Sequence, residues 1–180
     1  MTDTQPMTDL PSIIGIDFDG TCVTHEFPKI GRAIGAVPVL KELAARGCKL
    51  ILFTMRSDGR ADGTNPLTDA VNWFKEHDIP LFGIQRNPEQ DTWTSSPKAY
   101  AKLYIDDAAL GAPLCPGLPG EKPFINWQRV REMLLPDTVG IPSAALLDAQ
   151  MAALHPLLDA DAWILLMRER LRRLEAAITP

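Results

Sequence analysis

Four short apolar runs punctuate the chain, at 12–18, 49–54, 81–84 and 102–106. They stay apolar instead of alternating with polar residues. That pattern reads as strands buried on both faces, as in a parallel sheet. Between the runs the spacing turns helical. Val39, Leu40 and Leu43 line one stripe of a helix expected over 36–46, with Pro38 near its start and Gly47 as its C-cap. Asn65 is expected to cap a second helix that has Pro66 at its first position and Leu67, Ala70, Val71 and Phe74 as its buried stripe. Residues 20–35 and 55–64 read as polar, glycine-rich loops, and 108–123, dense in Pro and Gly, as a long loop. Asn126 is placed to cap a helix carrying Trp127, Val130 and Leu134. Strands alternating with helices predict an α/β domain with a parallel sheet, right-handed crossovers and covered faces.

After a break at 136–142 the chain reads as helix over 143–177, in two pieces meeting at Pro156. Leu147, Met151, Leu154 and Leu158 keep helical spacing, and the basic run 168–173 suits a helix C-terminus. The expected organisation is a flexible lead over 1–11, a domain over 12–135 and a helical C-terminal extension over 143–180. The extension reads first as a brace packed on the core and second as a homodimer interface.

Carboxylates sit where these strands end. Ile13-Ile14-Gly15-Ile16 runs into Asp17-Phe18-Asp19-Gly20-Thr21, and Leu103-Tyr104-Ile105 into Asp106-Asp107. Functional groups of parallel sheets gather at the strands' carboxyl ends. Period-two alternation aims Asp17 and Asp19 the same way. Like charges held this close call for a compensating cation or proton, and suggest one nucleophile and one acid/base.

Asp-Phe-Asp-Gly-Thr at 17–21 resembles the first signature of the haloacid dehalogenase (HAD) superfamily, whose members are mostly Mg²⁺-dependent phosphatases. Three further matches follow in order: Thr54 at the end of the second run resembles the second signature, Lys98 in Ser96-Pro97-Lys98 the third, and Asp106-Asp107 the fourth. The resemblance covers about 12–135 and implies a three-layer Rossmann-like core. It implies Asp17 as the nucleophile that forms an aspartyl-phosphate, and Asp19 as the acid/base that protonates the leaving oxygen and later activates water. It also implies Mg²⁺ held by the Asp17 side chain, the Asp19 main-chain carbonyl and Asp106. Asp107 would support that ion through water, or pair with Lys98. Gly20, Thr54, Met55, Arg56 and Lys98 are the expected phosphate or substrate contacts. Lys102 competes with Lys98 for the lysine role; Lys98 is preferred because it precedes the strand. Arg56 is expected to fork onto a substrate phosphate or carboxylate, and His25 reads as a surface residue.

Composition narrows the partners. The 180 residues carry a formal charge of −5, so there is no basic footprint for nucleic acid, although one local basic pocket would suffice for a phosphorylated small molecule. Cys22, Cys48 and Cys115 are scattered, without a Cys-x-x-Cys pair, which argues against zinc and for a reduced, cytoplasmic setting. The polar opening does not resemble a signal peptide, and no apolar run reaches membrane-spanning length.

HAD enzymes often carry a cap domain after the first signature or between the second and third. Here 22–35 and the interval from Thr54 to Lys98 are too short for one. The expectation is a small capless phosphomonoester hydrolase with an open site, taking a phosphorylated small molecule or macromolecule, with the loops 22–35 and 85–97 (Trp93 included) as partial cover. The alternatives are a catalytically idle HAD-like binding or scaffold subunit, and a phosphotransferase.

Overall fold

The structure is a computed structural model that describes residues 10–135. The expected extension over 143–180, with its brace or dimer role, lies outside the described residues, as does most of the expected lead. The elements are β1 (Ile13–Ile16), α1 (Ala36–Ala45), β2 (Lys49–Leu52), α2 (Pro66–Glu76), β3 (Gly83–Ile84), a 3₁₀ turn (Gln90–Thr92), β4 (Leu103–Ile105), β5 (Leu114–Cys115), β6 (Phe124–Ile125) and α3 (Trp127–Leu134).

The first four strands form one parallel sheet in the order β3-β2-β1-β4. The chain winds outward from β1 to β3, then returns to lay β4 on the other side of β1. That reversal makes the carboxyl ends of β1 and β4 a topological switch point, where open α/β sheets bind their ligands. This is the Rossmann-like α/β architecture expected from the sequence.

The two sheet faces are covered differently. Ile14, Ile16, Leu50 and Leu52 join one core with Val39, Leu40 and Leu43 of α1, Ala70, Trp73 and Phe74 of α2, and Trp127, Val130 and Leu134 of α3. On the opposite face Ile13, Ile51 and Ala99 form a smaller cluster with Phe53, Phe82 and Ala101. All three described helices therefore lie on one side. The irregular segment from the 3₁₀ turn to β4 covers part of the other. Gly15 belongs to this second face, where Tyr104 of β4 packs so closely that a Cβ at Gly15 would come 2.7 Å from its ring.

Local chemistry fixes the helix ends. At the C-terminus of α1 the Gly47 N–H donates to Ala44 and the Cys48 N–H to Leu43, with Gly47 at φ 87°. These are the paired bonds of a Schellman cap. At the start of α2, Pro66 occupies the first turn as expected, but Asn65 does not cap it. Asp58 does: its Oδ1 accepts the N–H groups of Leu67 and Thr68 at 2.9 and 3.0 Å. Asn65 instead accepts the Gly59 N–H, closing the loop that brings Asp58 round. Asn126 caps α3 as expected, accepting the Arg129 N–H at 3.0 Å. The loop expected over 108–123 contains half of a small antiparallel pair, Leu114↔Ile125 and Cys115↔Phe124.

Trp127 locks α3 to the loop after β1. It is fully buried, and its indole N–H donates to the Thr21 carbonyl at 2.6 Å. Trp127→Ala should lower unfolding free energy by about 3–5 kcal/mol, the range for a large core aromatic. Trp127→Phe keeps most of the volume but strands the carbonyl, so about 1–3 kcal/mol is expected. Urea denaturation of the three proteins checks both values. No described helix is long and apolar enough to cross a membrane.

Candidate active site

The register of the sheet brings the carboxylates together. Ile16 pairs with Ile105, and the ladder continues one step as the Asp17 N–H donates to the Ile105 carbonyl at 3.0 Å. Asp17 and Asp106 are then neighbours across the two strand ends. Asp107 follows on the turn, and one carboxylate oxygen from each of Asp17, Asp106 and Asp107 lies within 4.8 Å of the others. Phe18 points the opposite way, into the main core, edge-on to Trp73 at 5.6 Å between ring centroids. An apolar residue between the two aspartates is thus required by the helix-facing core.

The turn after β1 is built around its Gly and Thr. Gly20 has φ 78°, and a Cβ there would lie 2.2 Å from the His25 ring and 2.7 Å from the Asp107 carboxyl. Only glycine allows both side chains to close over this turn. The Thr21 hydroxyl accepts the Asp107 N–H at 3.1 Å, tying the turn after β4 to the turn after β1. His25 Nε2 stands 3.2 Å from Asp107 Oδ2. His25 is therefore part of the site and not the surface residue expected from the sequence; it also takes the place at Asp107 considered for Lys98. The two residues lie 82 positions apart, so no local spacing could reveal the pair.

Crowding and burial shape the electrostatics. Desolvation pushes the Asp17 carboxyl up to about 7; the neighbouring Asp106 and Asp107 add to the rise, while hydrogen bonds from the Phe18 backbone and the Thr54 hydroxyl oppose it. Burial also raises Asp107, with His25 pulling it down and Asp106 pushing it up. Such a cluster favours either protons or a cation. Thr54 follows β2 at its carboxyl end, with its hydroxyl on Asp17.

Arg56 departs from the sequence expectation. Its side chain is only 1% exposed and forks onto Asp19, Nε to Oδ2 and Nη2 to Oδ1, both at 2.7 Å. It has no free fork for a substrate anion, because burial demands that the guanidinium be paired inside the protein. Asp19 consequently stands apart from the three-carboxylate cluster, with its side chain committed to Arg56. Met55 is 97% exposed, so its side chain packs against almost nothing in the described protein. Gln85, which the sequence analysis did not single out, holds this loop. Its side-chain oxygen accepts the Thr54 N–H at 3.0 Å, and its amide donates to the carbonyls of Thr54 and Arg56. Gln85 does so from φ 57°, a conformation disfavoured for a side chain of this kind. That strained residue is the sign that could have drawn attention to it.

Lys98 is exposed, and its ammonium lies 5.3 Å from the centre of the Tyr104 ring. Tyr104 shares a sheet face with Asp106, two residues on, so the Tyr104 backbone lies about 7 Å back along the strand from Asp106. Among the described residues it makes no ion pair. Lys102 is exposed as well, and its backbone N–H bonds Ile13. An apolar recess of about 270 Å³ opens between β4 and α3, lined by Leu103, Ile105, Val130 and Met133 and reaching Asp106 at its rim. It lies on the helix side of β4 and touches the carboxylate cluster at Asp106. Between Thr21 and α1 there is only a loop, and between Thr54 and Lys98 only α2, β3 and the 3₁₀ turn.

No family model matches the chain, and no curated protein does. A solved structure of a conserved protein from Bacteroides thetaiotaomicron is similar to it. The two share 30% sequence identity and a TM-score of 0.54, over 73% of this chain and 94% of that one. With that identity spread over nearly the whole of the other protein, the chain belongs to the same family as this conserved Bacteroides thetaiotaomicron protein.

Proposed function

We propose that this chain is a HAD-type, Mg²⁺-dependent phosphomonoester hydrolase that works through an aspartyl-phosphate on Asp17. The observation that carries the reading is the convergence of Asp17, Asp106 and Asp107 at the β1/β4 switch point, with oxygens within 4.8 Å of one another. An all-oxygen, acid-rich donor set fits a hard divalent cation, and Mg²⁺ retains waters to complete its octahedron. When bound, the ion would neutralise charge on the phosphoryl oxygens.

The chain's own groups supply the rest. An Asp17 oxygen attacks phosphorus as the ester P–O bond breaks, and Asp19 gives a proton to the departing oxygen. Water then attacks the phosphorus of the aspartyl-phosphate, Asp19 takes its proton, and inorganic phosphate leaves. The Thr54 hydroxyl, already on Asp17, would hold a phosphoryl oxygen beside it. Lys98 would reach the phosphate from its seat on Tyr104. Among the described residues no folded cap stands over the site, which suits a phosphorylated small molecule or the phosphorylated end of a macromolecule. Three free cysteines support a reducing, cytoplasmic location.

Hydrolysis of p-nitrophenyl phosphate by the purified protein with Mg²⁺ tests this reading. Release of inorganic phosphate is expected. Turnover that instead places phosphate on an added alcohol would identify a phosphotransferase, and absence of turnover across a panel of phosphate esters would favour the scaffold reading.

A further inference from the structure

We propose that Arg56 is the positioning residue for Asp19, fixing the plane of its carboxyl group so that the edge turned from the guanidinium takes up the proton of the bound phosphate monoester and passes it to the leaving oxygen; this rests on the hydrolase reading above. All five guanidinium N–H donors are used. Nε and Nη2 fork onto Asp19, Nη2 also donates to the Lys29 carbonyl at 2.7 Å, and Nη1 donates to the carbonyls of Pro28 at 3.0 Å and Pro66 at 3.4 Å. The plane also lies against the Phe18 ring at 4.7 Å and the Phe27 ring at 5.4 Å. Arg56 is therefore anchored by the loop after β1, by the first turn of α2 and by its own strand end. None of its donors is left over.

A fork with both arms on one carboxylate fixes that group's plane as well as its distance. A single ammonium at the same place would fix only a point. Burying an ion pair this deeply is a poor route to stability alone, because desolvation offsets most of the attraction. What the arrangement provides is a carboxylate of set orientation, two residues on from Asp17, that is still 19% exposed. Proton transfer depends on that orientation.

The test separates positioning from packing by leaving group. Phenyl phosphate, whose leaving oxygen needs a proton, and 2,4-dinitrophenyl phosphate, whose leaving oxygen does not, are turned over with Mg²⁺ by wild type, Arg56→Lys, Asp19→Asn and the double variant. Thermal denaturation confirms that each is folded, and Arg56→Gln replaces Arg56→Lys if the latter does not fold. Arg56→Lys should lower kcat/KM, which reports the leaving-group step and not the later hydrolysis of the aspartyl-phosphate, by about 100-fold on phenyl phosphate, within the range of acid–base catalysis. The loss of kcat/KM on 2,4-dinitrophenyl phosphate should stay below about 10-fold, since that step leans little on the acid. In the Asp19→Asn background the arginine change should add nothing on phenyl phosphate, because residues acting as a unit are not additive. Equal losses on both esters, or losses that multiply in the double variant, overturn the assignment and leave the hydrolase reading intact. Failure of the wild type to hydrolyse either ester overturns both.

Discussion

Asp17→Asn should remove phosphate-ester hydrolysis by several orders of magnitude and at the same time stabilise the metal-free protein above neutral pH. The first effect follows because an amide cannot attack phosphorus, while the shape and the Asp17 N–H bond to Ile105 remain. The second follows from burial. In the folded, metal-free protein the Asp17 carboxyl protonates near 7 instead of 3.8. Between those values the folded state binds more protons than the unfolded state, so stability falls as pH rises. The stabilising protonation is complete below about pH 4 and lost once pH passes about 7. Each pH unit is worth about 1.4 kcal/mol, so the loss amounts to a few kcal/mol. Asparagine has no such titration. Melting temperatures in EDTA should converge near pH 4 and separate by on the order of 10 °C at pH 8, with the variant higher. Parallel curves for the two proteins across that range would show that Asp17 is not held in a desolvated, acid-crowded position.

Chelation should abolish turnover, and Mg²⁺ should reverse the alkaline destabilisation. Three carboxylates within reach of one another repel each other and a phosphate dianion until a cation joins them. Ligand bound only to the folded state at about 100 times its Kd adds roughly 2.7 kcal/mol. The gain should shrink toward pH 5, where protons compete for the same oxygens. Ca²⁺ should stabilise too but support little turnover, because its larger and looser coordination misplaces the phosphate. Asp106→Ala should lose most of the Mg²⁺-dependent rise in melting temperature and need far more Mg²⁺ for activity. Full turnover in EDTA, or an unchanged Mg²⁺ titration for Asp106→Ala, would place the chemistry elsewhere.

How much was legible in the sequence depended on the range of the interaction. A buried parallel strand announces itself as an unbroken apolar run, so Ile13–Ile16, Lys49–Leu52 and Leu103–Ile105 were found, and with them the carboxylates at their ends. Short-range chemistry was also visible, as in Gly47 after α1 and Asn126 before α3. Contacts made through the fold were not. Asp58 caps α2 from 9 residues upstream, across a loop whose closure no local pattern encodes. The β5–β6 pair is two residues per strand inside a Pro- and Gly-rich stretch, too short for periodicity to register. Arg56 reads as a substrate clamp because arginine beside a phosphate site commonly is one. Only its burial and the 37-residue reach to Asp19 show that its donors are consumed internally. His25 and Gln85 act on partners 82 and 31 positions away. Lys98 is expected at the site only from its order among the strand ends, and its ammonium rests 5.3 Å from the centre of the Tyr104 ring, a contact that order does not encode.

The central claim is covalent chemistry at one carboxylate, and trapping that intermediate tests it most directly. The protein is mixed with Mg²⁺ and an aryl phosphate, quenched in acid during turnover, and reduced with borohydride, which converts an aspartyl-phosphate to homoserine. Peptide mass spectrometry should find homoserine at position 17 in the wild type and at no position in Asp17→Asn. Turnover without modification at Asp17, or with the phosphoryl group on another residue, would contradict the account.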